Sequence, residues 1–294
     1  MTSIKIAFRD YLVLEKNYSL HTQKAYCDDV DAFEIFLQEA SFEVVLEKVA
    51  YSHIGSWVVF LVDSGLNTVS VNRKIASLKA FYKFLMKTKQ ISVSPLLKHR
   101  ALKTSKNIQI PFSEKEMDSL DGVFKDDTDF DSLRDRLMIE MFYATGMRRA
   151  ELLGLADNSF DKAQQQVKVL GKGNKERIIP VSKGLMLMAD DYIAERKRIF
   201  GAGGPFIVTE SGKPAYPKMI YNIVHQVLNH VTTLTRKSPH VLRHTFATHL
   251  SNNGAELNAI KELLGHASLA STQVYTHNTI DQLKKIHKLA HPKG

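Results

Sequence analysis

The chain has 294 residues, 44% of them hydrophobic and 24% charged, and a formal net charge of +9. These values exclude a disordered chain and match a globular protein with about two domains. No apolar stretch reaches the ~18 residues of a membrane span, and the first residues lack the apolar core of a secretory signal. Cys27 is the only cysteine, so no internal disulfide can form. We therefore expect a cytoplasmic protein that does not contact a membrane.

Apolar residues recur at helical spacing in four segments of the first hundred residues. The clearest repeat alternates between spacings of four and three and contains Val71, Ile75, Leu78, Tyr82 and Leu85. Such a stripe is typical of an amphipathic helix that packs on a core. The sequence therefore predicts an all-helical domain over residues 1–96. Residues 97–112 keep no periodicity and are predicted to be a linker.

The positive charge of the chain is concentrated in one segment. Between Ser64 and Ser113 there is no acidic residue, and the ten basic residues are Arg73, Lys74, Lys79, Lys83, Lys87, Lys89, Lys98, Arg100, Lys103 and Lys106. Clustered charge of one sign indicates a surface that binds nucleic acid. A solvated basic face without a partner is the alternative interpretation.

The fourth helical segment carries much of this charge on one side. Successive residues of a helix are about 100° apart, and the side opposite the apolar stripe holds Arg73, Ala76, Ala80, Lys83 and Lys87, with Lys79 on its flank. Two alanines among the cations make a narrow basic ridge that can approach a DNA groove closely. We therefore expect these four basic residues to bind DNA. Phe84 falls on the same side, and the pattern does not explain it.

Residues 113–294 show the signals of a second domain. Ser113 and Glu116 match a capping box at the start of a helix, and Gly146 suits the left-handed end of a helix over about 133–144. Two short strands, 166–170 and 176–181, are joined by a turn rich in glycine. Further helices are expected at 184–199, 216–234, 240–251, 256–264 and 269–276.

The predicted fold class follows from these segments. It is mainly α, with a helical N-terminal domain and a mixed, mostly helical second domain that contains a small β-hairpin sheet. An amphipathic tail from Ile280 to Leu289 is too small to fold alone, so it must dock on its own domain or on a neighbouring subunit.

Residue types suited to phosphate chemistry lie near the end of the chain. His240 and Arg243 are one helical turn apart, so both can address one anion from the start of a helix. The planar fork of arginine donates two parallel hydrogen bonds to a phosphate and keeps its charge. Tyr275 follows 32 residues after Arg243 and is a candidate nucleophile. Taken singly, such an arginine more often faces solvent and such a tyrosine more often lies at a core edge.

The 12 histidines raise the question of a metal site. His240 and His244 are four residues apart and share a helix face. The sequence has no His-Glu-x-x-His motif, no cysteine pair and no acidic cluster beside them, as a hydrolytic metal site would need. We therefore expect no metal, and we predict that His244 and His249 are structural.

Five motifs occur in an order that resembles the tyrosine recombinase family, most closely its short bacterial members of the Xer type. They are Ala144–Arg148 followed by Glu151, Gly171–Arg177 (GKGNKER), His240–His249, Leu263–His266 and Gln273–His277. The resemblance covers almost the whole chain. The predicted helical domain is similar to the family's core-binding domain, and residues 113–294 are similar to its catalytic domain.

The resemblance implies catalytic roles for six residues, which are Arg148, Lys172, His240, Arg243, His266 and Tyr275. It implies that the two arginines hold the non-bridging phosphate oxygens, that the lysine protonates the leaving oxygen and that the tyrosine attacks. His240 then takes the tyrosine proton or bonds the phosphate, and His266 donates another hydrogen bond to the same oxygens. Glu151 resembles an acidic residue near the first arginine and is expected to support the site structurally.

The function implied by the resemblance is site-specific DNA recombination. The reaction cuts and rejoins duplex DNA through a 3′-phosphotyrosyl link, and it needs no metal, ATP or other cofactor. A homo- or hetero-tetramer on two DNA sites is expected, with a second recombinase or a DNA translocase as candidate partners. The tail from Ile280 onward is a candidate for packing on a neighbouring subunit.

Four functional alternatives stay open from the sequence. Resolution of chromosome dimers is favoured, because the chain shows no extra N-terminal arm-binding domain of the kind that many phage integrases carry. The others are an integrase or invertase of a mobile element, a DNA-binding relative that has lost the reaction, and a type IB topoisomerase, which would not need paired sites.

Overall fold

The structure is a computed structural model that describes residues 3–105, 109–124, 129–171, 175–265 and 277–293, with side chains in the last range from residue 282 onward. The chain divides into two compact units, Met1–Asn107 and Ile108–Gly294. The boundary falls inside the segment predicted as a linker.

The first unit is helical in its described part, as predicted. Its elements are α1 (Ser3–Asp10), a π-helical turn (Tyr11–Glu15), α2 (Leu20–Glu39), a 3₁₀ turn (Leu46–Lys48), α3 (Tyr51–Asp63) and α4 (Thr68–Lys87). Side-chain caps begin the two long helices: Ser19 accepts a hydrogen bond from the backbone N–H of Thr22, and Asn67 accepts one from Ser70. These caps satisfy N–H groups that the helix itself leaves without acceptors.

The core of the first unit explains Phe84, which the helical wheel placed on the basic side of α4. Its ring is buried and lies 5.6 Å from the ring of Phe8 and 5.3 Å from that of Tyr11. The first helix and the π-helical turn therefore cover part of the side of α4 that was expected to be open. Asn72 of α4 exchanges two hydrogen bonds with the backbone of Leu102, so the chain that follows α4 returns to this unit.

The second unit contains nine α-helices, a 3₁₀ turn (Asp157–Ser159) and three strands among its described residues. The helices are α5 (Glu114–Asp118), α6 (Leu120–Val123), α7 (Phe130–Thr145), α8 (Arg149–Leu153), α9 (Lys183–Phe200), α10 (Pro217–Val231), α11 (Pro239–Asn252), α12 (Leu257–Leu264) and α13 (His277–Ala290). The capping box of Ser113 and Glu116 is confirmed at the start of α5. The helix expected at 269–276 lies outside the described residues.

The sheet of the second unit is antiparallel with the order β1-β2-β3. The two predicted strands are β2 (Gln166–Leu170) and β3 (Glu176–Pro180), and their register pairs Val167 with Ile179. The sequence did not predict β1 (Phe160–Asp161), because two residues are too few to show a period of two.

The core of the second unit surrounds α7. Nine consecutive residues, from Leu137 to Thr145, are buried, so no face of this half of the helix is open to solvent. Helices α9 and α11 pack against α7, and α13 packs against α11 and α12. Because Arg148 lies three residues after the end of α7, this packed helix sets the position of the first arginine motif.

Buried charges in the second unit are paired or hydrogen-bonded. Arg196 of α9 is buried and donates hydrogen bonds to the carbonyls of Pro205 and Phe206 and to the carboxylate of Asp157. Such partners offset part of the desolvation of the guanidinium. This arginine therefore stabilises the packing of α9 through bonds that involve none of the predicted catalytic residues.

The tail packs on its own unit, one of the two locations that the sequence allowed. Leu283, His287, Ala290 and His291 are buried, whereas Leu289 is 75% exposed. Packing of the tail on a neighbouring subunit stays a prediction. No helix in the described part of the chain combines the length and the apolar character that crossing a membrane requires.

Candidate active site

Gly146 ends α7 and turns the chain towards the site. Its φ is +58°, the left-handed conformation predicted for this position, and its N–H donates to the carbonyl of Phe142. A Cβ atom at this position would collide with the ring of Phe246. Glycine is therefore required both by the backbone conformation and by the packing of α11.

Arg148 is the residue immediately before α8. Its backbone N–H donates to Oε2 of Glu151 at 2.6 Å, and its Nη1 donates to Oε1 at 2.8 Å. Its Nη2 lies 3.5 Å from the carbonyl oxygen of Gly265. The side chain is 37% exposed, so the guanidinium is anchored on one side and open to solvent on another.

Glu151 is the buried centre of this part of the site. Arg177 of β3 donates Nη1 to its Oε1 at 2.7 Å and Nη2 to its Oε2 at 2.9 Å. Burial alone would raise the pKa of Glu151, but the hydrogen bonds and charges of Arg177 and Arg148 outweigh burial and lower it. The carboxylate is therefore ionised at neutral pH, and its bonds to Arg148 and Arg177 agree with the supporting role expected of Glu151.

Arg243 lies on α11, which begins at Pro239 after the cap of Ser238. Its Nη1 donates to the carbonyl of Gly146 at 2.6 Å and its Nη2 to the carbonyl of Leu264 at 2.7 Å. Burial, followed by the charges of Arg148 and Arg177, lowers the pKa of Arg243 to about 10. Arg243 therefore stays protonated at neutral pH, in a site that already holds two other guanidiniums.

The histidines of α11 differ in their surroundings. His240 is exposed one turn before Arg243. His244 lies 3.0 Å from the carbonyl of Gln109 through Nε2. His249 is buried between the hydroxyl of Tyr143 and the carbonyl of Phe112, at 2.9 and 2.8 Å. The structural role predicted for His244 and His249 agrees with these contacts.

The structure brings together the first and second arginine motifs, and three other predicted residues lie outside its described part. Lys172, His266 and Tyr275 belong to this second group, and so their catalytic roles stay predictions. Two neighbours of these residues are described. Gly171 donates its N–H to the carbonyl of Lys175, at the base of the hairpin, and Gly265 ends α12 with a φ of +65°.

Arg177 is the residue of this site to which sequence reasoning assigned no role. Arg177 belongs to the hairpin motif, and its position in the predicted strand is the sequence feature that could have indicated a buried role. Arg177 alternates with Ile179 along β3, and both side chains are buried. A charged residue at an inward position of a strand needs a buried partner of opposite charge. The sequence does not identify that partner, which lies 26 residues earlier.

The predicted DNA-binding residues of α4 fall into two groups. Lys79 and Lys83 are exposed. Arg73 donates to both carboxylate oxygens of Asp29, at 2.6 and 3.0 Å, and Lys87 pairs with Glu15. The direct role of all four in DNA binding stays a prediction.

Asp29 accounts for the conformation of Arg73. The carboxylate is buried and also accepts hydrogen bonds from Lys74 at 2.9 Å and Ser77 at 2.7 Å. Burial by itself would raise the pKa of Asp29, but these donors together with Arg73 lower it. Arg73 therefore contributes to the packing of α2 against α4, a role that the helical wheel did not indicate.

The arrangement of Arg148 and Arg243 is suited to binding an anion. Within the described ranges, no group of three or more His, Cys, Asp or Glu residues is placed to hold a metal ion. Two arginines instead converge on one region, where α7, α11 and α12 end or begin. A phosphate diester is an anion that such a pair can hold by bidentate hydrogen bonds.

Comparison with known proteins identifies the class of protein. The model of the phage integrase family matches residues 123–281, and that of the phage integrase N-terminal SAM-like domain matches residues 6–89. The chain therefore belongs to the phage integrase family, which confirms the resemblance found in the sequence. It is similar to tyrosine recombinase XerC of Staphylococcus haemolyticus (strain JCSC1435), with 35% identity over 100% of this chain and 98% of the relative.

Solved structures share the fold. The Tn1549 transposon integrase in complex with circular intermediate DNA aligns with a TM-score of 0.70 and 19% identity, over 96% of this chain and 99% of that one. The XerH site-specific recombinase bound to palindromic difH substrate aligns with a TM-score of 0.71 and 20% identity, over 92% and 80%. These likenesses support the fold of the two units.

Proposed function

We propose that the protein is an Xer-type site-specific recombinase that cuts and rejoins duplex DNA through Tyr275. The observation that carries the proposal is the convergence of Arg148 and Arg243 at the carbonyls of Gly146, Leu264 and Gly265. The two guanidiniums repel each other, and after burial, which is the larger cause, this repulsion lowers the pKa of Arg243. A phosphodiester placed between them relieves the repulsion and gains charge-assisted hydrogen bonds.

The two arginines act on the charge of the transition state. Attack on phosphorus gathers negative charge on the non-bridging oxygens, and one arginine aimed at a transferring phosphoryl group is worth about 10³–10⁵ in rate. Because Arg148 and Arg243 are held by Glu151 and by backbone carbonyls, they need little reorganisation when the charge develops.

The remaining chemistry is assigned to the other residues of the family's motifs. Tyr275 attacks phosphorus, which forms a 3′-phosphotyrosyl bond and releases the 5′-oxygen. Lys172 gives that oxygen a proton. His240 and His266 bond the phosphate or take the phenol proton, which the tyrosine must lose because its ordinary pKa is near ~10. Attack by the 5′-hydroxyl of a second strand reverses these steps and completes the exchange.

The first unit supplies affinity for duplex DNA. The exposed cations Lys79 and Lys83 on α4 are suited to phosphate contacts, which position a protein on DNA without reading its sequence. We assign Arg73 and Lys87 to the same surface. Their carboxylate partners, Asp29 and Glu15, compete with the DNA phosphates for these two cations. The protein then acts in the cytoplasm as a tetramer on two sites, alone or with a second recombinase or a translocase.

Resolution of chromosome dimers is the role we favour, because the similar relative is named XerC and matches over its full length. Integration of a mobile element is the second candidate, because the fold is shared with a transposon integrase. The recombination products separate the two roles: resolution needs two identical chromosomal sites, whereas integration joins an element end to a new target.

The test is a covalent trapping experiment on a duplex with a nick close to the cleavage site. Cleavage releases the short fragment between the nick and the cleaved bond, and because this fragment carries the 5′-hydroxyl, the strand cannot be religated. DNA recovered from adducts of the wild-type chain with genomic fragments supplies the sequence of the site. The wild type should form an adduct that survives denaturation, and Tyr275→Phe should bind the same DNA without forming one. Binding without an adduct from the wild type would instead support an inactive DNA-binding relative.

A further inference from the structure

Arg177 lies on β3 and contacts residues of the predicted active site. Each of its three guanidinium nitrogens donates to a different oxygen atom. Nε donates to the carbonyl of Leu263 at 2.9 Å, and the two Nη atoms donate to the two carboxylate oxygens of Glu151. The side chain is 4% exposed and that of Glu151 is 3% exposed. The pair therefore joins β3, α8 and the end of α12 inside the unit.

The arrangement of hydrogen bonds divides the charge of Glu151 unequally between two arginines. Arg177 binds both oxygens with its fork, whereas the side chain of Arg148 binds only Oε1, with one Nη. A bidentate, buried pair is stronger than a single bond from a partly exposed group. Most of the carboxylate charge is therefore neutralised by Arg177, and Arg148 keeps charge and exposure for another anion.

Arg177 also touches the bases of two motifs that bear catalytic candidates. A Cβ on Gly265 would lie 2.9 Å from Cδ of Arg177, so the residue before His266 packs directly on the arginine. A Cβ on Gly171, the residue before Lys172, would lie 3.6 Å from Nη1 of Arg177 and 3.5 Å from Oε1 of Glu151. The same guanidinium thus contacts the ends of the described chain next to both candidates.

We propose that Arg177 is a positioning residue of the recombination reaction, which compensates the buried charge of Glu151 so that Arg148 stays available to the scissile phosphate. This inference rests on the proposed function. It adds Arg177 as a residue that acts on the reaction through Glu151 and Arg148. Without Arg177, Arg148 is the described arginine that still hydrogen-bonds Glu151, and it turns its fork inward to pair with the carboxylate. The phosphate then loses one of its two guanidiniums.

The experiment measures the first-order rate of adduct formation on a saturating nicked duplex, together with DNA affinity. Arg177→Gln should lower the rate by about 100-fold or more, the loss typical of one transition-state donor, while affinity changes by less than about threefold. Glu151→Gln combined with Arg177→Gln should recover at least about tenfold of the rate, because no buried anion remains to draw Arg148 inward.

Arg196→Gln is the matched control. Arg196 is an equally buried arginine of the same unit that binds two carbonyls and a carboxylate by bonds that leave Arg148 and Arg243 untouched. Its loss should lower thermal stability as Arg177→Gln does and leave the adduct rate near that of the wild type.

Three outcomes would overturn the inference: an adduct rate of Arg177→Gln equal to the wild type, a double variant no faster than the single one, or an equal loss in Arg196→Gln. If Arg177→Gln does not fold, Arg177→Lys takes its place and must react more slowly than the wild type, because lysine has no fork. A wild-type chain that forms no adduct refutes the proposed function instead, so the two failures are distinguishable.

Discussion

The imidazole rings of His287, in the last helix, and His291, directly after it, lie parallel, with planes 2° apart and centroids separated by 5.1 Å. Nε2 of His287 bonds the carbonyl of Ala144 at 2.8 Å, and Nε2 of His291 bonds that of Tyr143 at 3.1 Å. A carbonyl only accepts, so both Nε2 atoms carry hydrogen. Nδ1 of His291 accepts from the backbone N–H of Lys293, and this histidine is therefore neutral.

These buried histidines predict acid sensitivity of the second unit. Burial lowers the pKa of His287, and burial and then the charges of its neighbours lower that of His291 to about 3. The unfolded chain takes up protons near pH ~6.5 and the folded chain does not, so stability is complete above that pH and declines below it. Urea unfolding at pH 5 should give a free energy about 2 kcal/mol lower than at pH 7.5 on account of His291, and His287 should lower it further.

His291→Phe tests which group is responsible. Phenylalanine keeps an aromatic ring against Tyr143 and Phe246 but cannot take a proton. We expect a smaller difference in unfolding free energy between the two pH values, even if the variant is less stable at both. An undiminished difference would assign the acid response to other groups, such as the neighbouring His287.

Gly146→Ala should destabilise the second unit by about 2–4 kcal/mol, through left-handed strain and overpacking against Phe246. The adduct rate should fall as well, because the carbonyl of Gly146 holds Arg243. Gly184→Ala on α9 is the control, since its Cβ would meet no atom within 4 Å and its φ is ordinary. Thermal melting of both variants checks the prediction, which fails if they melt alike.

Replacing Lys79 and Lys83 by alanine should weaken binding to duplexes of any sequence. For each lysine that binds a phosphate, its removal should reduce the slope of log affinity against log salt by about 0.9. Lys24→Ala on α2 removes an exposed lysine that is paired with Asp28 and serves as the control. A salt titration of binding measures the slopes, and an unchanged slope in the double variant would exclude Lys79 and Lys83 as phosphate contacts.

Arg73→Ala should differ from Lys83→Ala in its effect on stability. Arg73 supplies two hydrogen bonds to the buried carboxylate of Asp29, so its loss should lower the stability of the first unit by about 1–3 kcal/mol. Lys83 is exposed, and its loss should change stability by less than about 0.5 kcal/mol. Urea unfolding distinguishes the two, and equal stabilities would mean that the Asp29 pair contributes little.

The tail is best tested by a point substitution. Deleting residues 280–294 removes Leu283, Ala290 and the two buried histidines, so we expect the second unit to lose about 4 kcal/mol or more. Leu289→Ser removes only an exposed apolar side chain and should leave stability unchanged. If the tail also contacts a neighbouring subunit through Leu289, recombination of paired sites should fall while single-site binding stays intact. Unaltered recombination would exclude that contact.

The sequence determined most secondary structure and the family of this protein. The capping box at Ser113, the left-handed end at Gly146 and the strands of the hairpin depend on residues a few positions apart, and local geometry is enough to predict them. The arginine motifs were recognised for the same reason, since residue types at short spacings carry that signal.

Only the tertiary structure decided which charges are available and which are already paired. A helical wheel cannot show that Asp29 holds Arg73 or that Phe8 covers Phe84, because these partners lie on other helices. Nor can a strand pattern show that Arg177 meets Glu151, 26 residues earlier. A buried charge finds its counterion only where the folded chain brings the two together, and that pairing leaves Arg148 partly exposed at the candidate site.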